Sequence, residues 1–333
     1  MNISFWIKAL RVIPRINKEE WDKLDFISKW LILTRAAVFV ITLIPSFIVA
    51  ILSYLNGKFD FINWLIFTVG IVSAHALNNM LNDFTDYLKG VDRNNYFRAQ
   101  YGPHALEHGL INKKEFFAYV VFTAVVALAV AVYFIYLRGI SALLLVIAGS
   151  FFVLFYTYPL KYIGLGELSV LIVWGPLMIG GGYYVITNEW NLNVILMSFI
   201  YSLGATSVLM GKHIDKYDDD KAKKIHTLPV IIGKKNARLL NIALMSLQYI
   251  ITVYMVLIGF FKITMLVVLI GLYWFFKRTL KVYLSEKPNE KPKDYPDGVW
   301  PLWYVAFAFD HNKKFGYLFI LGLLLEVILH RLL

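Results

Sequence analysis

The stretch AYVVFTAVVALAVAVYFIYL, residues 118–137, carries no charge from end to end. A segment of that length and composition can cross the hydrocarbon of a bilayer as a helix. No water reaches the backbone there, so every N–H and C=O must find its partner within the segment. The apolar pattern predicts nine such helices, at roughly 31–54, 62–85, 115–137, 140–157, 167–187, 192–213, 238–260, 262–282 and 315–333. The expected fold class is all-α, a polytopic membrane protein with about nine transmembrane helices. Composition agrees: 59% of the residues are hydrophobic and the mean hydropathy is +0.62, above the roughly half-apolar make-up of soluble domains.

The opening MNISFWIKALRVIPRINKEEWDKLDF is not expected to be a signal peptide. Lys8, Arg11 and Arg15 interrupt its apolar residues, and no small-residue cleavage site follows. It reads either as a basic amphipathic helix on the membrane face or as a solvated tail. The expected organisation is a cytoplasmic N-terminal segment, 1–30, followed by one transmembrane domain, 31–333. Residues 298–314 are apolar but too short to span, and with Trp300, Trp303 and Tyr304 they are expected at the interface. The N-terminal tail and the loops after helices two, four, six and eight hold nearly all of the 33 Lys and Arg. Only Lys58, Arg138, Lys262 and Arg331 fall on the other face. The positive-inside rule then puts the N-terminus and those loops in the cytoplasm, in an inner or cell membrane. The net charge of +11 follows from this asymmetry and from anionic lipid. No basic–aromatic module points to nucleic acid. With no cysteine, disulfides, thiolate metal sites and cysteine nucleophiles are excluded.

Polar residues collect at two places. LNNMLNDFTDYLKGVD, Leu77 to Asp92, follows the second helix. Asn82 and Asp86 lie four apart and share a helix face, with Asn78 one turn earlier and Asp83 beside them. Gly90 can end the helix and let Asp92 turn back. GKHIDKYDDDKAKKIHTLPVIIGKK, Gly211 to Lys235, follows the sixth helix. Asp215 and Asp219 are one turn apart, Asp218 lies on the same side, and Asp220 sits further round. Such carboxylates repel one another unless a cation or strong donors are present. Lys212, Lys216, Lys221, Lys223 and Lys224 either neutralise them or bind a phosphate. Hard oxygen donors suit Mg²⁺, which keeps waters and substrate phosphates in its shell. The metal-binding candidates are Asn82, Asp83, Asp86, Asp92, Asp215, Asp218, Asp219 and Asp220. Taken alone, either cluster is also what a solvated helix end looks like. Two of them, on one predicted face, look like jaws for a diphosphate held through bridging metal ions.

Three stretches together resemble the UbiA superfamily of intramembrane prenyltransferases. That family has nine transmembrane helices, with aspartate-rich motifs after the second and sixth. NDFTDYLKGVD resembles its first motif, and the Gly90-Val91-Asp92 ending resembles the branch that prenylates 1,4-dihydroxy-2-naphthoate in menaquinone synthesis. KIHTLPVIIG, Lys224 to Gly233, resembles the run after the second motif. YTYPLKYIGLGELSVLIVWGPLMIGGGYYV, Tyr156 to Val185, resembles the fourth loop and fifth helix of the same branch. There are departures. Gly211 and Lys212 stand where the family often has Asn, and Lys224 where it has Gly. Anchoring on Thr227 makes Asp220 the motif's last Asp, whereas anchoring on Asp215 makes it Asp219. One extra residue lies between, so the choice among Asp218, Asp219 and Asp220 stays open.

The resemblance implies a Mg²⁺-dependent transfer of a polyprenyl group from an allylic diphosphate to an aromatic quinone precursor. Asn78, Asn82, Lys89, Arg93, Lys161 and Lys212 are the diphosphate-binding candidates, although Lys89, Arg93 and Lys212 are equally ordinary positive-inside residues. Tyr156, Thr157 and Lys161 are the catalytic candidates, with the Tyr156 ring able to face a carbocation. His75 reads as a buried helix-packing histidine, and Arg35 as a snorkelling anchor. His104, Glu107 and His108 have zinc-like spacing but lack a third convergent ligand, and so read as a capping loop. The expected partners are polyprenyl diphosphate, an aromatic acceptor and membrane lipid. Other acceptors, 4-hydroxybenzoate or geranylgeranylglyceryl phosphate, are alternatives within the fold. An ion-coupled transporter is the alternative outside it, but the acids sit at helix ends and not at mid-depth.

Overall fold

The computed structural model describes residues 2–90, 103–296 and 299–332, and among them there is no strand. They fall into two compact units: Met1–Ile44 with Leu65–Tyr158, and Pro45–Trp64 with Pro159–Leu333.

The first unit starts with three short capped helices. In α1 (Ile3–Arg11) the Asn2 side chain accepts from Phe5 N, and α2 (Lys18–Asp22) opens with a capping box of Asn17 and Glu20. In α3 (Phe26–Leu33) Asp25 accepts from Ser28 N at 2.8 Å. Arg35 then takes a left-handed conformation, φ 55°. The chain restarts at Ala36 and continues as α4 (Val40–Leu55), which belongs to the first unit up to Ile44 and to the second from Pro45. The first spanning helix is therefore Ala36–Leu55 and not 31–54, because the left-handed residue assigns Leu31 to Leu33 to α3. Next come α5 (Phe61–Leu88), α6 (Lys113–Arg138) and α7 (Ile140–Phe155). Gly139, at φ +64°, makes the turn between α6 and α7 that a side chain would strain. Trp21, Met80 and Phe116 are fully buried in the core of this unit, and Trp30 Nε1 donates to Thr123 Oγ1 at 2.8 Å.

The second unit holds α8 (Gly166–Thr187), α9 (Leu192–Asp215), α10 (Tyr217–Ala222), α11 (Leu228–Ile232), α12 (Lys234–Leu257), α13 (Ile263–Leu284) and α14 (Tyr304–Leu332). Its centre is α9, 72% of whose apolar window is buried inside the protein. The helix α8 lies close to it: a Cβ on Gly175 would come within 3.1 Å of Ser202 Cβ, and one on Gly180 within 3.1 Å of Ile195. Pro176 lacks an N–H, and around it Val173–Gly180 widens to π-helical winding. On the other side of α9, Asn241 Nδ2 donates to Ser207 O at 3.0 Å and Gln248 Nε2 to Ile200 O at 2.8 Å.

Eight helices among the described residues are long and apolar enough to cross a membrane. With α7, 16 residues and about 24 Å long, they give the expected nine. The last helix starts at Tyr304, eleven residues before the sequence expectation. The polar run Asp310–Lys314 is helical: Lys314 pairs with Asp310 at 2.7 Å, and His311 turns inward to Tyr249 Oη at 3.0 Å. Residues 304–314 are thus part of a span and not a separate interfacial segment.

Candidate active site

The first acidic segment is the last three turns of α5. Its residues split by helix face. On one side Asn79 donates to Thr34 O at 2.9 Å, and the Asp83 carboxylate pairs with the Arg35 guanidinium. Both side chains of that ion pair are largely buried, so Arg35 is more than a snorkelling anchor: it neutralises one acid of the motif. One turn before Asn79, His75 is buried with Nδ1 2.7 Å from Thr42 Oγ1, a helix-packing role. On the other side lie Asn78 and Asn82. Asn78 donates to Val153 O at 3.0 Å, and Asn82 Oδ1 accepts from Thr157 Oγ1 at 3.1 Å. Asp86 is buried, 6% exposed, one turn on from Asn82. Lys89 Nζ lies 3.2 Å from the centre of the Tyr158 ring. Thr157 and Tyr158 therefore meet the C-terminal end of α5 in this unit. Tyr156 itself is half-buried at the end of α7. Asp92 and Arg93 lie outside the described residues.

His104 Nε2 donates to Asp83 O at 3.1 Å, and its Nδ1 accepts from Glu107 N at 3.2 Å. Among the described residues no group of three His, Cys, Asp or Glu is placed to hold a metal ion. Both ring nitrogens of His104 thus serve to pack its loop.

The second acidic segment lies in the other unit. The helix is interrupted at Lys216, φ −94°, ψ 9°. The interruption ends the simple one-turn relation between Asp215 and Asp219. Asp215 accepts from three backbone amides at the start of α14: Trp303 N at 2.9 Å, Tyr304 N at 3.0 Å and Val305 N at 3.0 Å. Its charge is felt nearby. Burial, with Asp215 adding, pushes the Tyr295 phenol up to about 12. Burial lowers the Lys287 ammonium, and Asp215 works against that. Asp218 is exposed and bonds Lys234 Nζ at 2.7 Å, while Asp219 is exposed. Asp220 is buried, 2% exposed, with Thr227 Oγ1 and Lys216 Nζ each at 3.4 Å. Lys212 is half-buried in the last turn of α9, and Lys161 is half-buried in a 3₁₀ turn, Leu160–Ile163.

Sequence reasoning missed a pair beside Lys161. Glu167 Oε1 and His213 Nδ1 are 2.7 Å apart and both side chains are buried. A Cβ on Gly166 would sit 3.6 Å from Lys161 Cα and 3.8 Å from His213 Cε1. The pair thus pins the Lys161 turn and the start of α8 to the last turn of α9. The available signal was a lone Glu opening one apolar helix and a lone His closing another.

Asn82 and Asp86 share one helix face in the first unit, and Asp220 lies buried in the second; each carries oxygen donors of the kind that Mg²⁺ takes.

These features define an all-α integral membrane protein with an acidic segment after its second and sixth spans. Residues 42–309 match the model of the UbiA prenyltransferase family, and the chain belongs to that family. It is 25% identical, over 64% of its length, to UbiA prenyltransferase domain-containing protein 1 of Xenopus tropicalis, of which 62% is covered. It is 27% identical, over 56% of its length, to 1,4-dihydroxy-2-naphthoate octaprenyltransferase of Escherichia coli K12, of which 63% is covered. The matches thus span a little over six tenths of these two curated relatives. The fold is similar to that of a UbiA homolog from Archaeoglobus fulgidus bound to GPP and Mg²⁺, with TM-score 0.59 and 15% identity. That likeness covers 88% of this chain and 99% of the other.

Proposed function

We propose that the chain is a Mg²⁺-dependent prenyltransferase of the cytoplasmic membrane. It moves a polyprenyl group from an allylic diphosphate to an aromatic quinone precursor of the 1,4-dihydroxy-2-naphthoate class. The observation that carries the reading is the family match over residues 42–309, which includes both acidic segments. The naphthoate preference rests on the Tyr156–Val185 block and on the similarity to a 1,4-dihydroxy-2-naphthoate octaprenyltransferase.

In this reading the allylic C–O bond breaks, with its electron pair leaving on the diphosphate; a ring carbon of the acceptor forms the new C–C bond and then releases the group it carried, a proton or, at the carboxyl-bearing carbon, CO₂, whose bonding electrons restore the ring. Mg²⁺, when bound, supplies the positive charge that makes the diphosphate a leaving group. Asn82, Asp86 and Asp92 would hold it from the first segment. From the second, Asp215, Asp218, Asp219 and Asp220 are the candidates. Thr157 orients the Asn82 amide by donating to its Oδ1, so that the amide nitrogen and the second oxygen lone pair have fixed directions. Lys161 and Lys89 add fixed positive charge for the phosphates, with Lys212 and Arg93 further candidates. The Tyr156 ring offers a π face to the allylic cation. Apolar spans keep water from that cation.

The test is a competition among 1,4-dihydroxy-2-naphthoate, 4-hydroxybenzoate and geranylgeranylglyceryl phosphate, with one polyprenyl diphosphate, read by mass spectrometry. The naphthoate product is expected. Prenylation of a rival alone corrects the acceptor and leaves the enzyme class. Asp86→Asn should cut turnover by about two orders of magnitude or more, and EDTA should abolish it until Mg²⁺ is returned. Wild-type rates in both conditions would remove the cation reading.

A further inference from the structure

The helix α1 (Ile3–Arg11) has three sides. Successive residues turn about 100° round a helix, which sorts its side chains into arcs. Phe5, Trp6 and Ala9 face the protein: Ala9 is buried in a cluster with Leu31, Ala36, Phe39 and Ala76, and Phe5 and Trp6 pack against it. The Trp6 indole N–H also reaches Asp25 Oδ1 at 3.2 Å and Ser28 Oγ at 3.0 Å, which clamps α1 to α3. Ser4, Lys8 and Arg11 form an exposed polar side. Between the two lies a third side, made of Ile3, Ile7 and Leu10 at i, i+4, i+7 spacing. All three are about half exposed, so the described residues leave this aliphatic face uncovered.

The level of α1 in the fold says what lies against that face. Ala36 and Phe39 open the first span, Ala36–Leu55. Ala76 belongs to the second, twelve residues or about 18 Å before its end at Leu88. A helix packed on those residues sits beside the ends of two spans, where a free face meets the boundary of headgroups and acyl chains. Charge selects among lipids. Residues 2–15 hold Lys8, Arg11 and Arg15 and no acid. Among the described residues none of the three pairs with a carboxylate, whereas Lys18 in α2 pairs with Asp22 at 2.7 Å. Unneutralised cations beside an aliphatic face match a leaflet rich in anionic lipid. They do not match a second copy of the chain, which would bring the same cations. Three aliphatic side chains also fall far short of the roughly 800 Å² per partner of a stable protein interface.

We propose that α1 is a lipid-docking helix. Ile3, Ile7 and Leu10 enter the acyl boundary of the leaflet, and Lys8, Arg11 and Arg15 meet the phosphates of anionic headgroups. The sequence leaves open whether this segment lies on the membrane or is a solvated tail, because it does not show which apolar residues the protein itself uses. The fold takes up Phe5, Trp6 and Ala9 and leaves Ile3, Ile7 and Leu10.

The full chain has no cysteine, so single nitroxides at Ile7→Cys and Ser4→Cys in lipid nanodiscs test the proposal. Collision with oxygen, which dissolves in acyl chains, is compared with collision with a water-soluble nickel chelate. In phosphatidylcholine with about 30% phosphatidylglycerol, the Ile7→Cys label should favour oxygen about threefold or more over the Ser4→Cys label. In phosphatidylcholine alone that preference should fall by about half or more. Lys8→Gln, Arg11→Gln and Arg15→Gln together should give the same fall in the mixed lipid. About 1 M salt, with a Debye length near 3 Å, should do so with the three cations intact, which decides the matter if the triple variant does not fold. An Ile7→Cys label as open to nickel as the Ser4→Cys label would mean a solvated face, and one shielded from both reagents a face covered by protein; either overturns the proposal. A preference for oxygen that ignores both phosphatidylglycerol and salt would overturn the assignment of anionic lipid.

Discussion

Asp25 holds two helices at once. It caps α3 through Ser28 N at 2.8 Å, and it accepts from Asn2 N at 3.1 Å and Trp6 Nε1 at 3.2 Å, tying α1 to α3. The Ser28 backbone bond, ahead of the other contacts, lowers its carboxyl below 3.8. A depressed folded-state value contributes stability that is present above pH 3.8 and is lost as pH falls through that lower value. Acidification below about pH 4 should therefore loosen α1. The chain has no cysteine, so a nitroxide on Leu10→Cys reports this cleanly. Its mobility should rise between pH 6 and pH 3. Asp25→Asn keeps a capping oxygen but cannot titrate, so the acid step should vanish; a step that persists would assign it to another group. Arg35 is the other residue whose role is tertiary. Its position at the head of an apolar run suggests lipid anchoring, and only the folded chain brings it to Asp83.

At the scale of elements, hydropathy marks where helices lie but not how they are wound. The helices α5, α6 and α9 fall where their apolar periods put them. The break at Arg35 has no residue signal, since a non-glycine in the left-handed region is held there by its surroundings. The early start of α14 is hidden by Asp310–Lys314, which look like loop until the i,i+4 pair is seen. The site was legible in part for the same reason. Its candidate oxygen ligands are visible as two clusters, whereas the groups that bond them, Arg35, Thr157, Thr227 and the amides of α14, come from elsewhere in the chain. The α8–α9 contact yields a prediction. Gly175→Val would drive a branched side chain into Ser202 and Ser198, so it should cost about 1–3 kcal/mol in reversible unfolding. Gly149, on α7, has open space where its Cβ would be. Gly149→Ala should therefore be neutral or gain about 0.5–1 kcal/mol from helix propensity. Equal effects of the two changes would show that close approach at Gly175 does not hold these helices together.

At the scale of the whole molecule, the proposed function asks two acidic segments, which lie in different compact units, to serve one diphosphate. A shared diphosphate site requires both to face the same side of the membrane. If the 16-residue α7 crosses along with the candidate spans α6, α8 and α9, four crossings separate the end of α5 from the end of α9, an even number. The basic residues agree, since few lie on the opposite side and two of those are tied down. Lys58 pairs with Glu189, whose carboxyl it holds below its ordinary value, and Arg331 Nε donates to Tyr54 Oη at 2.9 Å. Within the proposed function, the positive-inside rule predicts that both acidic segments face the cytoplasm, which labelling tests. Single cysteines at Lys89, Lys223 and Lys58, all exposed, test this in sealed vesicles of known orientation with a membrane-impermeant maleimide. Lys89→Cys and Lys223→Cys should label only from the cytoplasmic side and Lys58→Cys only from the other. If the first two label from the same side but it is the outer one, the site survives and the orientation is reversed. If they label from opposite sides, α7 at 16 residues does not cross, and no single diphosphate can be held by both segments.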